Sequence, residues 1–213
     1  MSADRDPDIA PEGTAPEWVY SLGIIDLETA IQLAKTTEKL VHDAAKTVLA
    51  ANPRASVASM VLLGFVARAQ GFGKGVITGI ATNNPYVAFT LIRSYFENTA
   101  AMLYVIDKPK ELDRLWGTAP NSHGVSIGKI TNHSVKRFAQ AKGTYDVLSK
   151  YAHPHSMSLV ASMQLDGNDF SWQSAPTFRT PDEALVAAGL LLQLANATVS
   201  LIHEYASKHL REE

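Results

Sequence analysis

A chain of 213 residues, 46% of them hydrophobic, is long enough to bury a full core, and its length favours one domain. A formal charge of −2 gives no overall electrostatic case for nucleic acid, so any such role needs a local basic patch. Cysteine is absent, which excludes disulfides, zinc–thiolate centres and thiol nucleophiles.

Residues 1–20 read as a flexible tail: the stretch up to Glu17 is rich in proline and acids and lacks the apolar core of a secretory signal. Residues 21–213 read as a single helical-bundle domain in a cytoplasmic protein. Leu27, Ile31, Ala34, Val41, Ala45 and Val48 recur at steps of three and four, broken only at Glu38, which predicts an amphipathic helix to about Ala51 capped by Asp26. Asn52-Pro53 stops it. Ser56 then caps a second helix through Met60, Leu62, Leu63, Phe65 and Val66, expected to be buried.

Glycines at 64, 71, 73, 75 and 79 predict that this helix is bent or interrupted on its way to Ala81, since each costs about 1 kcal/mol in a helix interior. The run GFGKG is not a phosphate loop, because Lys74 is followed by Gly75 rather than Ser or Thr. Asn84-Pro85 is a cap and first-turn pair opening a helix to about Ile106. A short helix from Pro109, a loop over 119–124, a helix from about Val125 to Ala141 and another from Tyr145 to Ala152 follow, with Pro154 ending the pattern.

From about 157 to 174 the period changes to two. Leu159, Ala161, Met163 and Leu165 alternate with polar residues, Asp166-Gly167-Asn168 supplies a turn, and Phe170 and Trp172 return, which predicts a β-hairpin. Thr180 with Glu183 forms a capping box with proline between them, opening a long terminal helix to about His209. The fold class is therefore mainly α, a helical bundle with a small β-hairpin insertion before the C-terminal helix. No membrane role is expected: Val57 to Ala69 is too short to span, and Leu185 to Ile202 carries Gln193, Asn196, Thr198 and Ser200.

Two polar pairs stand inside apolar helical segments, Arg93 with Glu97 and Ser149 with His153, each spaced i to i+4 and so on one helix face. Charge on an apolar face is costly unless paired, which makes these four the candidate centre of a site. One reading is a structural ion pair beside a serine that bonds His153 or a helix end. The other places Arg93 and His153 around a bound phosphate or carboxylate, with Glu97 holding the arginine and Ser149 orienting the imidazole. Lys150 and His155 are the adjoining ligand-binding candidates, and Lys129, Lys136, Arg137 and Lys142 make residues 129–152 the most basic stretch, which reads as a phosphate patch or as a solvated helix face. His153 and His155 with a carboxylate such as Glu97 or Glu204 offer a metal-assisted hydrolase as an alternative, but no two-histidine helical spacing accompanies them, so no metal or other cofactor is expected.

The element RSYFE, followed about fifty residues later by YDVLSKYAHPHS, resembles a group of bacterial and phage helical domains carrying R-S-x-x-E and Y-x-x-L-S-x-x-x-H, a group similar to HEPN-like bundles. The resemblance spans about residues 57–155 and the final helix. It implies a link to RNA metabolism or phage defence, with metal-independent RNA cleavage as the activity, and it carries over to Arg93, Glu97, Ser149 and His153. The HEPN signature of an arginine followed after four to six residues by histidine on one helix is absent, since neither His153 nor His155 has an arginine at that distance upstream. A non-catalytic homodimeric interaction module, docking through the terminal helix or through Phe170 and Trp172, is the alternative from a different class. The candidate partners are thus a second copy, RNA or an anionic small molecule.

Overall fold

Helix caps written into the chain set the frame of a computed structural model that describes residues 15–117, 124–138, 141–159, 162–166, 169–172 and 174–210. Helix α1 covers Glu17–Ser21 and α2 covers Leu27–Ala51; Asp26 accepts the Thr29 N–H at 2.8 Å while Thr29 Oγ1 accepts the Asp26 N–H at 3.0 Å. Ser56 and Ser59 make the same reciprocal pair at the start of α3, Val57–Ala81, and Asn84 Oδ1 accepts the Val87 N–H to open α4, Pro85–Asp107. Each exchange satisfies amides that no helical carbonyl can reach.

Helix α3 runs without interruption through the glycines. Gly79 explains why a costly residue is kept: a Cβ there would stand 2.7 Å from the backbone nitrogen of Ala88, so only glycine lets α3 and α4 approach where the chain reverses between them. The reversal itself uses Asn83 in the left-handed region at φ 55°, with the Asn84 N–H reaching back to the Gly79 carbonyl at 2.7 Å.

Helices α2, α3, α4 and the terminal α9, Pro181–His209, form the main bundle, with α4 at its centre and packed by α3 and α9. Its second half is buried on every side, from Met102 to Ile106. Most polar groups inside are paired, the buried Tyr104 hydroxyl excepted: Asn98 donates to the Phe65 carbonyl and accepts from Arg68 Nε, each at 3.0 Å, and Thr99 meets Thr198 at 3.1 Å. Tyr205, its hydroxyl pushed well above the usual range by burial, donates to the Ala58 carbonyl.

A thinner layer lies on another side of α4. After a 3₁₀ turn at Pro109–Glu111 come α5, Leu112–Trp116, then α6, Ile127–Ser134, and α7, Ala141–Ala152, of which the last two pack on α4. Helix α8, Ser156–Leu159, leads into a hairpin of β1, Met163–Asp166, and β2, Asp169–Trp172, with Met163 opposite Trp172 and Asp166 opposite Asp169. The mainly α bundle with a β insertion is thereby realised.

Several expectations change in detail. The tail was expected to reach residue 20, yet Val19 is fully buried and Trp18 covers Gly189 of α9, because two apolar side chains in a row find a glycine-sized recess; residues 1–14 lie outside the described residues. Leu27 and, on α3, Met60 and Leu63 are exposed, so α3 is only partly buried, and Thr37 rather than Glu38 continues the inner face of α2. Helix α6 stops at Ser134, whose hydroxyl bonds the Thr131 carbonyl, instead of running to about 141; residues 139–140 lie outside the described ones. Helix α7 starts four residues earlier than expected, and α8 occupies the start of the expected hairpin. The expected loop at 119–124 falls outside the described residues except Gly124, as do Gly167 and Asn168 of the turn. Because α3 is continuous, both it and α9 are long and apolar enough to cross a membrane by length and composition, a property that core helices share; α9 is packed by α1, α2, α3 and α4.

Candidate functional site

The side of α4 facing α7 carries Arg93 and Glu97 one turn apart, and the spacing does what it promises: Arg93 Nη2 lies 3.1 Å from Glu97 Oε1. Both are mostly covered, at 19% and 24% exposure, so the pair sits in a seam rather than on open surface. Helix α7 supplies the cover. Tyr145 accepts from Arg93 Nη2 at 2.9 Å and donates to Glu97 Oε1 at 2.9 Å, closing a triangle of guanidinium, phenol and carboxylate. The arginine also lies 5.2 Å from the Tyr145 ring centroid, and Phe96 backs that ring at 5.6 Å.

His153 completes the cluster from the residue after α7. Its N–H bonds the Ser149 carbonyl at 3.1 Å, Pro154 prevents another turn, and the exposed ring turns back so that Nε2 stands 3.2 Å from Arg93 Nη1. A guanidinium has only donors, so Nε2 accepts and the ring proton resides on Nδ1. Arg93 Nε is buried without a partner, leaving one donor of the fork uncommitted.

Of the residues singled out by spacing, Arg93, Glu97 and His153 therefore come together. Ser149 does not orient the imidazole: its hydroxyl donates to the Tyr145 carbonyl one turn back, at 2.8 Å. Lys150 is half-buried on α7 and His155 exposed beyond it, the His155 N–H bonding Ser158 Oγ and its Nδ1 lying 3.3 Å from Ser156 Oγ. The basic stretch is divided rather than pooled. Arg137 pairs with Glu204 at 2.8 Å, which holds that carboxyl below its usual range, and Lys129 lies 3.6 Å from Glu111. Glu204 is thus half-buried and paired, not one of a set with His153 and His155. Among the described residues no three His, Asp or Glu side chains converge as a metal site would require.

Tyr145 is the member that spacing misses. It heads the Y-x-x-L-S-x-x-x-H element and lies four residues before Ser149, on the same helix face, and that stripe is the signal that could have found it. Chemically, the cluster couples a fixed guanidinium to an accessible neutral imidazole. An anion arriving at Nη1 would displace Nε2 and leave it as a free base. No match to this chain was found among protein-family models, curated proteins or solved structures.

Proposed function

We propose that the chain is a cytosolic, HEPN-like bundle acting on RNA, with phage defence as its setting, and that a phosphodiester is held at Arg93 and His153. The observation that carries the reading is the 3.2 Å contact between a guanidinium and an exposed imidazole from segments sixty residues apart. Glu97 and Tyr145 keep Nη2 in place while Nη1 can exchange an imidazole for a phosphate oxygen. In this reading the displaced His153 Nε2 takes the proton of a ribose 2′-hydroxyl, whose oxygen attacks phosphorus while Arg93 stabilises the charge on the equatorial oxygens. The 5′-oxygen departs with a proton from water, leaving a 2′,3′-cyclic phosphate and a 5′-hydroxyl. In this reading Lys150, in the last turn of α7, and His155, beyond its end, are the basic residues that would flank the strand.

The test combines a mixed-sequence RNA with melting curves for the wild type, Arg93→Ala and His153→Gln. Cleavage to cyclic-phosphate ends, abolished in both variants while melting shifts by only a few degrees, supports the reading. Lower melting with no cleavage in any protein, wild type included, reduces the cluster to a structural tie between α4 and α7.

A homodimeric interaction module has its own support in the hairpin, where the facing pair Met163 and Trp172 is 38% and 62% exposed. Light scattering at rising concentration decides it: a dimer lost on Trp172→Ser favours it, and a monomer throughout removes it.

A further inference from the structure

A recess next to the polar cluster, with Phe96 between the two, lies against the Thr144 and Leu148 face of α7. Its floor is α4 at Phe96 and Thr99, one wall is α6 and α7 at Ser134 and Leu148, and the other is α9 at Leu194 and Ala197. The space measures about 490 Å³, within the range of small-molecule sites and far beyond the voids that a well-packed interior leaves.

The lining chooses its occupant. It contains no charged side chain, so an ionic ligand would lose its hydration with nothing to replace it. Three hydroxyls, those of Thr99, Ser134 and Thr144, and the Gln193 amide interrupt an otherwise apolar surface. Ser134 Oγ spends its hydrogen on the Thr131 carbonyl at 2.7 Å, and Thr99 Oγ1 has the Tyr95 carbonyl at 3.0 Å to donate to. Ser134 Oγ keeps its lone pairs and the Gln193 carbonyl oxygen adds a further acceptor, while Thr99 Oγ1 already shares one lone pair with Thr198 Oγ1 at 3.1 Å, so the lining accepts from a ligand. We propose that this recess is a binding site for an uncharged, largely apolar small molecule bearing a hydrogen-bond donor. The site is independent of the Arg93–His153 reading, although both rest on α7.

N-phenyl-1-naphthylamine, neutral and carrying a single N–H, is the probe. Titrated into the full chain, it gives saturable, blue-shifted emission with one site per chain. Ala197→Phe and Leu194→Phe, which fill the recess from the same wall, each weaken binding at least about tenfold, and either variant suffices if the other melts early. Ala67→Phe at the shallower depression between α2 and α3 leaves the affinity unchanged, since that depression has Lys46 and His42 in its lining. Emission that rises without saturating, or equal affinity in the filled variants, overturns the proposal. So does loss of probe binding as the chain dimerises in light scattering, which would assign the recess to a second copy.

Discussion

The bundle of α2, α3, α4 and α9 and the layer of α6, α7, α8 and the hairpin are built by different means. In the bundle, α2 and α3 start on reciprocal caps, α3 meets α4 through Gly79, and the enclosed polar groups are few and mostly paired, as at Asn98 and Thr99. In the layer, α7 is held to α4 partly by Leu148 and Tyr151 but also by a phenol and an imidazole that bond the Arg93–Glu97 pair of α4. The bundle holds most of the buried apolar core, and the seam between the two holds the polar cluster.

The difference breaks first at the core. Leu103, fully buried on α4, should cost about 2–5 kcal/mol when changed to alanine, as the cavity it leaves cannot collapse. Val147, exposed on α7, should cost at most about 0.5 kcal/mol on the same change. Urea denaturation measures both, and comparable losses would mean that the layer is as integral as the bundle.

A buried and an exposed glycine of α3 sharpen the point. Gly79→Ala should destabilise by about 1–3 kcal/mol, because the new methyl meets the rigid backbone of α4. Gly64→Ala, where a Cβ meets nothing within 4 Å, should stabilise by about 0.5–1 kcal/mol through the unfolded chain. Opposite signs in thermal melting are the expected result, and equal signs would refute the close α3–α4 contact.

In the seam, Tyr145→Phe keeps the ring over Arg93 and removes only the hydroxyl between guanidinium and carboxylate. About 1 kcal/mol should be lost, as befits a partly solvated bond to charged groups. If RNA cleavage is present, it should fall in the same variant more than stability does, since Arg93 Nη2 loses a support. Unchanged melting and unchanged cleavage together would make Tyr145 a bystander.

How much of this was legible follows from the range of each interaction. Asp26, Ser56 and Asn84-Pro85 announce their helices because a cap is a contact over three residues. Thr180 and Glu183 announce the start of α9 equally well, yet the threonine makes no side-chain cap; the glutamate instead takes the Arg179 N–H and guanidinium. The glycine run misleads because propensity counts the intrinsic cost of Gly79 and not Ala88, its neighbour across the turn. Likewise the Arg93–Glu97 pair is local and readable, whereas its junction with His153 depends on how α7 docks, which no spacing within either helix reports. Tyr145 escapes for the same reason: its hydroxyl matters only after that docking.

The smallest expected effect belongs to the bundle and concerns pH. His209, at the end of α9, is half-buried against Tyr205, with Nε2 3.2 Å from the Val105 carbonyl. Burial pushes its pKa below 6.5, the Val105 carbonyl pulls back by accepting an N–H, and the Lys208 charge adds to the lowering. The unfolded chain therefore takes up this proton at higher pH than the folded one does, so this contribution to stability is complete above about pH 6.5 and drains away as pH falls through the folded pKa. Melting temperature measured from about pH 7.5 down to about pH 5 should drop more steeply for the wild type than for His209→Gln. The other histidines cancel in that difference. Parallel slopes would place the imidazole in water in the native state, and α9 would then end short of the packed shell that the bundle shows around Val105.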